Sequence, residues 1–387
     1  MSSIAAVEKR YFDFSQEQKL AWLRLYRSEN VGPVTFRDLI SHFGTAEAAL
    51  DALPELAKRG GAPSRIRICA KSDAVREMET LDQIGGEFIC MGEQSYPSLL
   101  RQLEQSPPIV AVRGNKKIFA NPALAIVGSR NASISGLKLA ERFAREVANS
   151  GFTVVSGLAR GIDTAAHKAT LEPGTIAVMA GGMDCIFPHE NKPLAEEIVN
   201  AGGALVTEMP IAWKPRAQDF PRRNRIISGI AQATLVVEAA QRSGSLITAR
   251  LANEAGRIVL AVPGSPLDPR SAGTNNLIRE GATLITSIDD IVEALRPISS
   301  EQEEFLFDIS EPKEDESAWE SEGFPVSVKP NDELRDQIIS ALSPTPVEVD
   351  DIVRFTDAEI GQVQLVLLEL SLAGRLHRHT GNKVSLT

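Results

Sequence analysis

Between residues 122 and 296 short apolar runs alternate with helical patterns, and no other property of the chain restricts its fold as much. Runs at 124 to 127, 153 to 156, 175 to 179, 204 to 207, 234 to 238, 258 to 262 and 283 to 286 are of strand length and too apolar for a half-exposed sheet. The intervening stretches repeat apolar residues at helical spacing, as in Leu137, Ala140, Phe143, Ala144 and Val147. Strand and helix in alternation predict a parallel sheet covered on both faces. Ligands of such sheets collect beyond the carboxyl ends of the strands, so the residues after each run carry the functional information.

The first run, Leu124-Ala-Ile-Val127, enters the turn Gly128-Ser129-Arg130 and then a helix. First-turn amides of a helix lack backbone partners and face the positive end of its dipole, which makes an anion the natural occupant. Arg130 adds a planar fork suited to phosphate; alternatively Gly128 only makes the turn and Arg130 is a solvated charge. The second run leads to Ser156-Gly-Leu-Ala-Arg160-Gly-Ile-Asp163 with Ala166-His167-Lys168 beyond, and the third to Gly181-Gly-Met-Asp184 and Phe187-Pro188. After the fourth come Glu208 and a long loop ending in Phe220-Pro-Arg222-Arg223-Asn224-Arg225; after the fifth, Glu238 and Ser243-Gly244-Ser245. A row of such turns suits a chain of phosphates better than one small ligand, because each offers its own amides or guanidinium. Phe220 reads either as a face on which a base stacks or as a buried loop anchor.

Other polar residues have structural readings beside chemical ones. Asp163 precedes a helix and reads as its N-cap more readily than as an acid. His167 lacks a second ligand at metal spacing. Glu208 and Glu238 form a conceivable acid/base pair, but Glu238 has Arg225 and Arg242 within sequence reach as ion-pair partners. No catalytic constellation, metal site or cofactor motif is supported. A dinucleotide enzyme would need G-x-G-x-x-G where this chain has Gly128-Ser-Arg-Asn-Ala-Ser133.

The chain has 387 residues and a net charge of -10, which looks hostile to nucleic acid. Yet residues 297 to 333 carry 12 acidic and 2 basic side chains, so one short segment holds the whole imbalance. No apolar run is long enough to span a membrane, and charges near the N-terminus replace the apolar part of a signal peptide, so the cytoplasm is the expected compartment. Cys69, Cys90 and Cys185 are odd in number and far apart, which supports neither a disulfide framework nor zinc.

Four segments are expected: 1–92, short helices around the hairpin Asn30-Val-Gly-Pro-Val34; 93–297, the alternating domain; 298–330, an acidic flexible linker; and 331–387, three helices and a hairpin around Thr380-Gly-Asn382, a winged helix. Its second helix pair could enter a DNA groove, but the presumed recognition helix carries Gln362, Gln364 and Glu369 and no basic residue, which favours a protein contact. Arg375, Arg378 and Lys383 on the wing remain candidate phosphate contacts.

Taken in order, Tyr96-Pro97, Val127-Gly-Ser-Arg130, Ser156-Gly-Leu-Ala-Arg-Gly-Ile-Asp163, Phe220-Pro-Arg-Arg-Asn-Arg-Ile-Ile-Ser-Gly229, Ser243-Gly-Ser245 and Val262-Pro-Gly264 resemble the motifs of the DprA/Smf family, DNA-processing proteins of natural transformation. The resemblance is nearly continuous from about 94 to 296, and the ends resemble the family's SAM-like (helix-hairpin-helix) and winged-helix modules. It implies an extended Rossmann-like core that binds single-stranded DNA, dimerises, and loads the recombinase RecA onto incoming DNA, without catalysis. Carried over by motif, Gly128, Ser129 and Arg130 would hold phosphate, Phe220 would stack, and Arg222, Arg223, Asn224, Arg225, Ser243, Gly244 and Ser245 would line the groove. Arg160 and Lys168 join them on spacing. The rival reading is a nucleotide phosphoribohydrolase on a similar core, whose glycine run and following glutamate are missing after Ser243.

Overall fold

The computed structural model of the chain describes residues 11–296, 330–379 and 381–387. The acidic segment expected at 298–330 lies, but for its last residue, outside the described residues. The chain divides into two compact units: one comprises the stretch from Arg76 onward together with residues up to Asp13, and the other joins Phe14–Val75 to the C-terminal residues.

The larger unit holds a nine-stranded sheet: β1 Gly86–Cys90, β2 Ile109–Gly114, β3 Ala123–Val127, β4 Thr153–Ser156, β5 Thr175–Val178, β6 Ala204–Thr207, β7 Ala233–Val236, β8 Ile258–Ala261 and β9 Thr283–Leu284. Their spatial order is β1-β2-β6-β5-β4-β3-β7-β8-β9. Strands β3 to β9 are mutually parallel, as the unbroken apolar runs require. β1 and β2 extend this sheet antiparallel, with Phe88 opposite Ala111, so the sheet starts before the boundary expected at 93. The apolar runs Phe88 to Met91 and Ile109 to Val112 supply β1, at the edge of the sheet, and β2, between β1 and β6. One face is covered by helix Ile134–Asn149, helix Ile162–Ala169 and helix Ile288–Leu295, which bury Phe143, Val147, Ile162 and Ile291 against Leu124, Val154, Leu235 and Leu260.

The smaller unit joins the two terminal modules. Helices Gln16–Tyr26, Pro33–Phe43 and Ala46–Arg59 form its first part. Helices Asp332–Ala341, Val349–Thr356 and Ile360–Leu372, with β10 Val347–Glu348, β11 Leu376–His379 and β12 Lys383–Leu386 in the order β10-β12-β11, form the winged helix. Gly381 and Asn382 both take positive φ in the β11–β12 hairpin, as a tight turn there demands.

Helix Ile360–Leu372 is buried on two sides. Val363, Val366, Leu367 and Leu370 fill the winged-helix core, and the helix also packs on Ala46–Arg59 and Pro33–Phe43. Glu369, 1% exposed, is held by Arg335 of its own module at 2.6 Å and by Arg59 of the N-terminal helices at 3.8 Å. Burial raises its pKa, and the two arginines oppose that rise. The wing cations are also engaged: Arg375 donates to the Gly60 carbonyl at 3.1 Å, Arg378 pairs with Asp38 at 2.6 Å and Lys383 with Glu348 at 3.5 Å. Asn30 in the N-terminal hairpin donates to the Leu372 carbonyl at 2.9 Å. Arg375, Arg378 and Lys383, candidate phosphate contacts by sequence, thus bind their own chain.

No helix among the described residues is long and apolar enough to cross a membrane. Gly60 has an ordinary helical backbone, yet an added Cβ would lie 2.0 Å from the Glu369 carbonyl oxygen. Gly60→Ala should therefore lower the stability of this unit by about 1 to 3 kcal/mol, whereas Gly32→Ala, into open space, should change little; urea unfolding of the two variants checks the contrast.

Candidate nucleic-acid interface

The chain leaves β3 for β4 on one side, and β7 lies on the other, so the sheet's order reverses between β3 and β7. Helix Ile134–Asn149 starts at this crevice with Ser133 as its N-cap. The anion expected at its N-terminus is the chain's own Glu238, from the end of β7. Its Oε2 accepts from the Ser133 amide at 2.9 Å, its Oε1 takes the Ser133 hydroxyl, and that hydroxyl accepts from the Gly136 amide at 2.9 Å. A Cβ on Gly136 would stand 2.4 Å from the Glu238 carboxyl carbon, so glycine makes room for the carboxylate. Glu208 is tied elsewhere, to Arg225 and to Arg222 at 3.0 Å. The two glutamates serve separate structural ends, and their reading as an acid/base pair is withdrawn.

Helix Asp219–Ile230 carries the Phe220 to Arg225 motif, and its winding sorts the cations. Arg223 points inward, 5% exposed. Its Nη1 donates to the carbonyls of Gly157, after β4, and of Val178, the last residue of β5, the latter at 2.7 Å. An added Cβ on Gly157 would come within 2.0 Å of that nitrogen. Burial lowers the Arg223 pKa to about 10, with the Asp163 carboxylate pulling the other way and Arg130 adding to the drop. Asp163 accepts from the amides of Gly157 at 3.1 Å and Ala159 at 3.4 Å. It thus fastens the turn before its helix, whose N-cap is Gly161. Burial raises the Asp163 pKa against the pull of Arg223. Arg225 is also inward, bonded to the Gln105 carbonyl and Glu208. Asn224 donates to the Gly244 carbonyl at 3.3 Å, which draws the turn after β7 alongside.

Other groups remain at the surface of this edge. Arg130 is exposed, and its guanidinium lies 5.1 Å from the centroid of the half-buried Phe220 ring. Arg222 is 46% exposed beside Glu208. Arg160, exposed, forms a two-armed pair with exposed Glu190, one arm at 2.6 Å. Ser243 caps helix Gly244–Glu254 by accepting from the Ser245 amide at 3.4 Å, and Gly244 faces open space. Gly128 has a packing reason, since a Cβ there would meet Ile162 at 2.6 Å. Ser129 joins the first two turns, its carbonyl accepting from the Ile162 amide at 3.2 Å.

Lys168 stands apart. It lies in the last turn of helix Ile162–Ala169, and its neighbour His167 bonds Thr175, where β5 begins. That is the opposite end of the sheet, so spacing alone misplaced Lys168. Because the Thr175 hydroxyl donates to the Val154 carbonyl at 2.8 Å, His167 Nδ1 donates to Thr175. Burial, helped by Arg223, lowers the His167 pKa to about 3.

Sequence reading missed Phe187, Trp213 and Arg216 as candidates. Phe187 is 45% exposed with its ring 5.6 Å from that of Phe220. On the loop after β6, Arg216 covers the Trp213 ring at 4.6 Å, while Trp213 Nε1 donates to Asp219 at 2.9 Å. Their signal was an aromatic residue near a cation after a predicted strand. Among the described residues no cluster of three His, Cys, Asp or Glu is placed to hold a metal ion.

A mostly parallel sheet with its polar turns at one edge, preceded in sequence by a helical module and followed by a winged helix, defines the class of protein. Comparison with known proteins identifies the family. Residues 87–296 match the model of DNA recombination-mediator protein A, residues 16–80 the DprA-like N-terminal HHH domain, and residues 323–382 the DprA winged helix domain. Protein Smf of Synechocystis is 32% identical over 394 residues, covering 95% of this chain and 98% of that one. DNA processing protein DprA of Streptococcus pneumoniae is 43% identical over 202 residues, 52% of this chain and 71% of its own. The X-ray structure of the pneumococcal protein superposes with a TM-score of 0.60 at 31% identity, covering 72% of this chain and 98% of that one. DprA of Helicobacter pylori, whose structure was described for its single-stranded DNA binding mode, gives 0.51 at 27% identity, covering 55% and 96%. The chain belongs to the DNA recombination-mediator protein A family, also called DprA/Smf.

Glu238→Ala should cost about 1 to 2 kcal/mol by stripping the helix N-terminus, and inorganic phosphate should recover part of the loss in thermal unfolding; no recovery would show that the bared amides do not attract anions. His167 is neutral when folded and takes a proton when unfolded below about pH 6.5. Its contribution therefore falls with pH by about 1.4 kcal/mol per unit between that value and its folded pKa. Urea titrations at pH 7, 6 and 5 should show the stability gap between the natural chain and His167→Gln closing by that amount.

Proposed function

We propose that this protein binds single-stranded DNA along the carboxyl edge of its parallel sheet and, as a homodimer joined through the Rossmann-like unit, delivers the strand to RecA during natural transformation in the cytoplasm. The observation that carries the DNA-binding reading is the pairing of exposed Arg130 with the Phe220 ring, a cation and an aromatic face side by side. Arg160, Arg222 and the open Ser243-Gly244 turn continue the edge on either side. Phosphates would meet guanidinium groups and turn amides while bases meet a ring, a combination that tolerates any sequence. The single-stranded DNA binding described for the H. pylori relative supports the same ligand, and the matched family's description as a recombination mediator supports transfer to a recombinase.

Within the motif, exposed and buried residues divide the work. Arg130, Arg160, Arg222, Ser243 and Gly244 offer the contacts, whereas Arg223, Asn224, Arg225 and Ser245 position them, and Lys168 takes no part. A binding role is favoured over phosphoribohydrolysis because the Glu238 carboxylate occupies the helix N-terminus at which a mononucleotide phosphate would seat. Asp163, Glu208 and His167 are each committed to structural bonds. Helix Ile360–Leu372 is covered by the N-terminal helices, so the winged helix serves as a protein-binding module rather than a groove reader.

Arg130→Ala should weaken binding of labelled oligothymidine whatever the flanking sequence, and should reduce the slope of log affinity against log salt by about one phosphate contact, ~0.7. An unchanged slope would remove Arg130 from the interface, and failure of the natural chain to bind would end the reading.

A further inference from the structure

The ring that presents the larger free face at this edge is not Phe220. Phe220 is half-buried, and Arg130 lies over its ring. Phe187 is 45% exposed, and among the described residues no cation lies over it. A solitary exposed aromatic residue needs no explanation, but this one is neither solitary nor on a loose loop. Ile186 just before it is buried, and Asn191 just after it is buried with its amide donating to the Leu158 carbonyl at 2.9 Å and to the Thr164 hydroxyl at 2.9 Å. The short segment between these anchors has little freedom, so Phe187 is held outward. Its ring centre is 5.6 Å from that of Phe220, and the Arg160–Glu190 pair begins on the same segment.

Resting on the single-stranded DNA reading above, we infer that Phe187 is a second stacking platform, which receives the nucleobase next to the one at Phe220. A nucleobase is held by an open aromatic face, and every base has such a face, so the contact is indifferent to sequence. The planes of the two rings differ by 62°. Bases lying flat on each would be turned from one another by a similar angle and could not stack together. The pair of rings therefore accepts an unstacked strand and rejects a duplex, whose neighbouring bases are parallel. Specificity for single strands arises here from an angle between two rings, without any base-edge hydrogen bond.

The test uses the full chain and four ligands: oligothymidine, oligodeoxyadenosine, an abasic deoxyribose-phosphate strand of equal length, and a duplex. Phe187→Ala should weaken oligothymidine and oligodeoxyadenosine about tenfold, toward the low end of what one stacked base contributes. Its salt slope should match the natural chain, because no phosphate contact is lost. Binding of the abasic strand and of the duplex should not change. Phe187→Trp should restore affinity, and Phe187→Leu, which keeps apolar bulk for packing, should not. Equal oligothymidine binding by the natural chain and Phe187→Ala would overturn the platform alone, as would full rescue by leucine or a proportional loss on the abasic strand. Absence of binding by the natural chain would remove the underlying function with it.

Discussion

The guanidinium of Arg223 is the tie on which the candidate interface depends. It enters from helix Asp219–Ile230 and bonds the carbonyls that end β4 and β5, Gly157 and Val178, with the Asp163 carboxylate close enough to offset part of its charge. A buried charge is expensive unless paired and bonded, and removing one partner costs more than the pair is worth. Once that cost is met, the start of the helix is pinned to two strand ends. Phe220 and Arg222, one residue to either side of Pro221, inherit their places from this tie. Gly157 is part of it, since any side chain there would fill the space of the guanidinium.

The same edge shows what a sequence makes legible and what it conceals. Parallel strands declare themselves by apolar runs, and the candidate edge by the turns that follow them, because both are local properties. Burial of a cation is not local. Arg222, Arg223 and Arg225 look alike in Phe220-Pro-Arg-Arg-Asn-Arg225, yet helical winding sends the first to solvent and the other two inward, and the inward places exist only because Gly157 and Glu208 arrive from elsewhere. Lys168 was misread for a related reason: a helix that returns along the sheet carries its last turn to the far end. The Glu238 carboxylate at the start of helix Ile134–Asn149 joins residues about a hundred positions apart, which no spacing rule reports.

The smaller unit extends this lesson to whole modules. Nothing in the periodicity of residues 16 to 59 or 332 to 386 says that the two stretches share a body. One clue was present, a lone carboxylate in the apolar run from Val363 to Leu372. A charge in such a run needs partners, and Glu369 has one arginine from each stretch. Gly60 allows the helix so close that the carbonyl of Glu369 fills the space of a Cβ. A winged helix reads DNA by offering its third helix to a groove; here that helix is already surrounded by protein, and the cations of the wing are bonded to carbonyls and carboxylates. The poverty of basic residues on the helix and its burial are two expressions of one fact.

Electrostatics then explains how an acidic protein can present an edge to phosphate. Of the arginines near the strand ends, the buried ones spend their charge on internal carboxylates and carbonyls, which fixes geometry and leaves little field outside. Of the exposed ones, Arg130 sits beside a ring and Arg160 beside exposed Glu190, a pair that a polyanion can displace at small cost because ion pairs in water contribute little, whereas Arg222 reaches buried Glu208. Arg130 is the extreme case: its neighbour is the neutral ring of Phe220, so an anion could reach it without displacing a carboxylate. Overall charge is a poor guide to such a surface. What decides the ligand is which few cations the fold leaves unspent, and how near to them it keeps an aromatic face.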